Sequence, residues 1–173
     1  NPGALWDLVL LGDGALKPEL ERLIAELGLQ SHVHLPGFKQ YHELPAYFGL
    51  ARAFVHASTT EQWGLVVNEA MASGLPVIVS SRCGCAADLV SEGKNGFTFQ
   101  PNDTDQLAQL MSKIAAEDLP LAKLGEQSRR IIANWGPQRF ADGLQTAVKT
   151  ALAKPRRAVG GMDRLLLKLL LAL

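Results

Sequence analysis

Two glutamates, Glu61 and Glu69, flank a Trp63-Gly64-Leu65 turn in the stretch STTEQWGLVVNEAMASGLPVIVSS, residues 58–81. An ionised carboxylate is an acceptor-only group, well matched to hydroxyls. Gly64, Leu65 and Val66 fall at the predicted first turn of a helix. The unpaired amides and positive dipole end of such a turn can seat a diphosphate. Eight residues along a continuous helix rise about 12 Å, whereas retaining glycosidases hold their two carboxylates roughly 5–5.5 Å apart. The spacing suits two acceptors gripping hydroxyls at opposite ends of a long ligand. A plainer reading stands beside it: Glu61 caps the helix and Glu69 faces solvent, since acidic residues enrich helix starts.

The elements that must position this pair can be read from the alternation of apolar runs. LWDLVLL, ending in Gly12-Asp13-Gly14, reads as a buried strand and tight turn. An apolar run so close to Asn1 leads us to expect that further sequence precedes it. Residues 17–28 then carry Leu20, Leu23, Ile24 and Leu27 at helical spacing, with Gly28 as a stop. Strands are expected at 32–38, 52–57, 76–81 and 96–101, and helices at 43–51, 64–73 and a short AADLV. Helices without intervening strands follow at 103–117, 119–134 and 137–153. Strand–helix alternation with near-continuous apolar strands implies a parallel sheet covered on both faces. The fold class is thus α/β, a Rossmann-like parallel sheet flanked by helices. Ligands bind such sheets beyond the carboxyl ends of the strands, where GDGA, ASTTEQWGL and SSRCGC arrive. Gly12 and Gly14 serve equally well as plain turn residues.

Composition narrows the field. The 173 residues hold seventeen basic and seventeen acidic side chains, so no general attraction to nucleic acid is expected. Cys83 and Cys85, one residue apart, are poorly placed to bridge each other and lack the further ligands of a zinc site. Reduced thiols and a cytoplasmic location are the expectation. Cys85 has no activating base beside it in sequence and is not expected to act as a nucleophile. His32, His34, His42 and His56 show no paired ligand spacing and are read as structural, and Trp63 as packing at a cleft edge.

EQWGLVVNEAMASGLPVIVS resembles the E-x7-E signature of retaining glycosyltransferases of family 4, the group 1 class with the GT-B fold. VLLGDGALKPELERLIAELGLQSHVHLPGF and SSRCGCAADLVSEGKNGFTFQPND resemble further segments of that family, in the same order, over about residues 5–115. The resemblance implies that Glu61 faces the donor sugar as the catalytic carboxylate and that Glu69 accepts from the ribose hydroxyls. It places the backbone of Gly64 and Leu65 on the sugar and diphosphate, Gly12 and Gly14 near the diphosphate, and Pro36 to Phe38 beside the base. The substrate implied is a nucleotide-diphosphate sugar, with no cofactor and no metal. Transfer of a hexose to a glycan or lipid-linked acceptor, with retention, is the implied reaction.

The chain departs from the family pattern at Cys85, Asp88 and Ala57, where a Gly, a Glu and a Pro are usual. It also lacks the family's Arg/Lys pair and its N-terminal acceptor-binding domain, so the expectation is a donor-binding half, nearly inactive alone. That half is assigned to residues 1–154, and residues 155–173 to a basic, leucine-rich tail. The tail is too short to span a bilayer, which takes about 20 apolar residues. It either lies on an anionic membrane surface at the cell's inner face or packs on the missing domain. NWGPQRFADGL, residues 134–144, resembles the family's final segment, with Trp135 and Phe140 as anchors of a crossover. A nucleotide-sugar epimerase or phosphorylase of the same architecture, or a noncatalytic Rossmann-like module, are the alternative readings.

Overall fold

The structure, a computed structural model, describes residues 6–116, 119–154 and 160–171, apart from the side chains of residues 164–166. It divides into two compact units, Asn1–Asn134 and Trp135–Leu173. The first contains β1 (Leu8–Leu11), α1 (Lys17–Glu26), β2 (Val33–Gly37), a 3-10 turn (Tyr41–Glu43), α2 (Leu44–Leu50) and β3 (Phe54–His56). It continues through α3 (Leu65–Ala72), β4 (Val77–Ser80), α4 (Ala86–Leu89), β5 (Gly96–Phe99), α5 (Thr104–Ala115) and α6 (Leu121–Ile132). The second unit holds α7 (Pro137–Ala153) and α8 (Gly161–Leu170). The arginines expected to give the tail its charge at 156 and 157 lie outside the described residues.

Local chemistry explains the boundaries. Pro18 in the first turn pre-sets the backbone of α1, and Gly28, at φ +68°, accepts the left-handed turn that ends it. Asp103 caps α5 by accepting from the Gln106 amide at 2.8 Å. Pro137 opens α7.

All strand pairing is parallel, as expected. It falls, however, into two sheets, β1–β2 and β3–β4–β5, rather than one. Among the described residues β1 pairs only with β2 and β3 only with β4. The burial follows. β4 is central and all four of its residues are buried, whereas β1 departs from the two-sided cover its sequence implies, with Val9 45% exposed. An apolar strand needs neighbours on its open side as well as an apolar composition. What fixes β1 is β2: Asp7 accepts from His32 at 3.1 Å and from His34 at 3.2 Å. Those bonds hold the Asp7 carboxyl below its ordinary range, and they give two histidines a structural role.

The core gathers Ile78, Phe97 and Phe99 of the central sheet against Ile114 of α5 and Leu124 of α6. α6 also sets the position of α3. A Cβ on Gly125 would overlap the Gly74 carbonyl, so the helix lies directly on the turn between α3 and β4. Ser128 Oγ donates to the Leu75 carbonyl at 2.7 Å, and the Arg129 guanidinium donates to the Ser73 carbonyl at 3.1 Å. Asn95, fully buried, accepts from the Ser91 amide at 2.7 Å and donates to the Leu89 carbonyl at 3.0 Å. Gly96 has no room for a side chain against the Val77 carbonyl. The Asn-Gly pair therefore serves the β4–β5 join.

Candidate functional site

Chain leaving β3 at His56 runs through Ser58 and Thr60 to Glu61 and enters α3 after Gly64. Gly64 takes φ +95°, a left-handed conformation that disfavours any other residue. A Cβ there would meet Glu61 Cγ at 3.4 Å and both Cys85 Sγ and His56 Cδ2 at 3.6 Å. The bend thus brings Glu61, His56 and Cys85 around one backbone atom. No side chain caps α3, which excludes the reading of Glu61 as its cap. Its carboxylate instead accepts a long 3.4 Å bond from the Trp63 amide. Val67 N donates to the Gly64 carbonyl at 2.9 Å, leaving the amides ahead of it without a side-chain acceptor.

The loop after β4 holds this bend from the other side. Glu61 N donates to the Arg82 carbonyl at 3.4 Å, Gly84 N to the Glu61 carbonyl at 3.0 Å, and Cys85 N to the Trp63 carbonyl at 3.1 Å. A Cβ on Gly84 would overlap the Gln62 carbonyl. The Cys-Gly-Cys sequence, expected among the loops at the strand ends, is the strip that pairs with the Glu61 loop. Burial pushes the Cys85 thiol up to about 11, with Cys83 adding to the shift, so it stays protonated at neutral pH. Burial, then the Glu61 charge, also raises Cys83. Neither is a nucleophile as placed.

His56 is the residue that the sequence reading set aside as structural. Its Nε2 is buried and has no hydrogen-bond partner. Burial lowers its pKa below the ordinary histidine value, against an opposing pull from Glu61. The bend thus leaves a neutral imidazole beside Glu61 and Gly64 with a buried nitrogen unsatisfied, which marks it as a special position. The only sequence signal was its place as the last residue of a strand that precedes a hydroxyl-rich loop.

Glu69 lies on α3, partly buried, and among the described residues its carboxylate has no hydrogen-bond or ion-pair partner. Trp63 packs half-buried and donates through Nε1 to Asn68 Oδ1 at 3.0 Å. Leu65 is 69% exposed, so its backbone amide rather than its side chain is the useful group.

Gly12 and Gly14 form a second group, at the carboxyl ends of β1 and β2. Gly12, at φ +130°, donates through its amide to the Gly37 carbonyl at 3.1 Å, and Gly14 N donates to Asp13 Oδ1 at 2.8 Å. These residues line a cavity of about 370 Å³ with Lys17 and Leu35. A Cβ on Gly37 would lie 3.9 Å from Lys17 Nζ, so an ammonium reaches the turn. Lys17, unremarked in the sequence, supplies the positive charge there. Phe38 follows Gly37 and is 67% exposed. Among the described residues no group of three or more His, Cys, Asp or Glu is placed to hold a metal ion.

Parallel strands, glycine-rich loops at their carboxyl ends and an uncapped helix start define an α/β domain of the kind that receives ligands beyond its strand ends. A profile of the glycosyl transferases group 1 matches residues 4–131, and the chain belongs to that family. It is 38% identical over 96 residues, 55% of its length, to the alpha-monoglucosyldiacylglycerol synthase of Acholeplasma laidlawii, of which it covers 24%. Its fold is that of GT-B glycosyltransferases. The sucrose-phosphate synthase of Thermosynechococcus elongatus superposes with a TM-score of 0.72 at 28% identity, over 85% of this chain and 39% of that one. Anabaena HepE in complex with UDP superposes at 0.70 and 27% identity, over 82% and 41%. The chain therefore spans about a quarter to two fifths of the lengths of these relatives.

Proposed function

We propose that this chain is the donor-binding half of a retaining glycosyltransferase that moves a hexose from a nucleotide-diphosphate sugar to a glycan or lipid-linked acceptor. The observation that carries the reading is the Gly64 bend. It sets the Glu61 carboxylate and the unpartnered His56 Nε2 beside the uncapped start of α3. The HepE complex with UDP supports the class of ligand.

In this reading the amides of Gly64 and Leu65 take the diphosphate, helped by the α3 dipole. Lys17 and the Gly12–Gly14 turn take phosphate charge, Phe38 stands beside the base, and Glu69 accepts from the ribose hydroxyls. Glu61 holds the sugar, with His56 as a further polar contact. The bond from the anomeric carbon to the diphosphate oxygen breaks, and the acceptor oxygen bonds to that carbon on the same face. The acceptor's proton passes to the departing phosphate oxygen. No covalent glycosyl-enzyme and no metal are required in this scheme. An acceptor-binding domain outside this chain completes the cleft, and the enzyme serves polysaccharide or glycoconjugate synthesis in the cytoplasm. The free thiols of buried Cys83 and Cys85 fit that compartment.

A thermal-shift screen of the intact protein against UDP-, GDP- and ADP-sugars tests it: one base class should raise the melting temperature. Glu69→Ala should weaken that nucleotide about 10- to 100-fold, the worth of hydrogen bonds to a charged acceptor. Glu61→Ala should instead lower kcat on the order of 100-fold with nucleotide affinity kept. Equal, mild effects of both changes would defeat the assigned roles.

A further inference from the structure

α3 carries two polar residues in an otherwise apolar segment, LVVNEAMA. Glu69 belongs to the proposed donor site. Asn68 is the other, and asparagine favours helices poorly because its side chain competes for backbone hydrogen bonds. At 100° per residue, Asn68 and Glu69 flank Leu65 within an arc of about 100°, opposite the buried face of Val67, Ala70 and Met71. On that open face Asn68 Oδ1 accepts from Trp63 Nε1 at 3.0 Å.

Trp63 stands immediately before Gly64, from which α3 starts, and Asn68 is the fourth residue of the helix. The pair occupies the two positions at which an apolar contact commonly fixes the angle of a chain entering a helix. Here a side-chain hydrogen bond takes that place. Trp63 is also tied through its backbone. Its carbonyl accepts from Cys85 N at 3.1 Å, and its amide donates to Glu61 Oε1 at 3.4 Å. The indole bond spans the Gly64 bend, from the Glu61 loop to the helix. Because the amide bond to Glu61 is long, that carboxylate depends for its place on the path of the chain through Trp63.

We infer that Asn68 is a positioning residue for the proposed reaction. By holding the Trp63 indole it fixes the angle between the Glu61 loop and α3, and with it the reach from the Glu61 carboxylate to the amides of Gly64 and Leu65. Neither side chain touches the sugar nucleotide in this role. The inference rests on the donor site proposed above and adds the device that holds it in shape. A misplacement of about 1 Å at a reacting group costs on the order of 100-fold in rate. Turnover, which needs Glu61 in register, is therefore sensitive to the bond. Nucleotide affinity is less so, because Glu69 and the helix amides travel together on α3. Removing one partner leaves a half-buried polar group unmet, whereas replacing both by apolar side chains keeps a contact between the two positions.

The intact protein tests it with UDP-glucose, GDP-mannose and ADP-glucose, read as binding by calorimetry and as release of the nucleoside diphosphate with water as acceptor. Asn68→Leu and Trp63→Phe should each lower kcat about tenfold and leave the Kd of the bound sugar nucleotide within about twofold. The two changes made together should restore kcat to within about threefold of the wild type, since the apolar pair can meet where the hydrogen-bonded pair did. In proton–nitrogen correlation spectra the Trp63 indole N–H signal, identified by its loss in Trp63→Phe, should move upfield in Asn68→Leu. Full turnover by Asn68→Leu, or an indole signal that stays in place, overturns the inference and leaves the donor site standing. So does a joint variant as slow as the single ones, which would mean that one of the side chains meets the substrate itself. A single variant that loses affinity as much as turnover overturns it too, since that marks a general loss of the helix start. Failure of the wild type to bind any of the three sugar nucleotides removes the donor site, and this inference with it.

Discussion

His56 carries the clearest signature of a residue held ready at some cost. Its Nε2 is shut from water without a partner, and burial depresses its pKa while Glu61 pulls the other way. The linkage has a definite sign. Because the folded pKa lies below the unfolded value of about 6.5, unfolded chains take up the proton first as pH falls. The stability that neutral His56 permits is complete above that value and is lost as pH drops through the folded one. Melting temperature should therefore fall between pH 6.5 and pH 5 more steeply in the wild type than in His56→Gln. The same variant should bind the nucleotide sugar more weakly at pH 7.5, where both are uncharged. Parallel curves would mean that His56 does not titrate in this window.

At the scale of elements, α3 is aimed by what lies behind it. Ser128 reaches from α6 to the Leu75 carbonyl, and Gly125 lets the two backbones touch at Gly74. Ser128→Ala should cost about 1–2 kcal/mol, the penalty of a buried carbonyl left without a donor, read as a lower midpoint in urea with unchanged slope. The order and type of these elements were legible from hydrophobic period and Gly/Pro punctuation: α7 was expected at 137–153 and is found as Pro137–Ala153. Glu61 and Glu69 were legible as a pair around the Trp63-Gly64-Leu65 turn, and Gly64 as the start of a helix, which the structure has as Leu65–Ala72. Nothing in the sequence told that Gly84 pairs with the Glu61 loop or that Lys17 reaches Gly37. Both depend on contacts between segments about twenty residues apart, set by strand order, which no local pattern encodes. The exposure of β1 was illegible for the same reason, since its apolar run specifies burial and says nothing about which neighbours supply it.

For the molecule as a whole, the two sheets leave β1 and β3 each with a side on which no described strand pairs. Edge strands with open amides and apolar side chains template association. The 173-residue chain on its own should show concentration-dependent growth of apparent mass in sedimentation velocity. Leu10→Lys, at an exposed position of β1, should reduce it without lowering the melting temperature. A monomer at all concentrations would show that those edges are already satisfied.

The crowded glycines of the first unit have a practical consequence for anyone diversifying this scaffold. At Gly84, Gly96 and Gly125 a single methyl group would collide with a main-chain carbonyl from another segment, so those positions admit no variation that repacking of side chains can absorb. On α7 the reverse holds, because every side chain there is exposed and a Cβ on Gly143 would meet nothing within 4 Å.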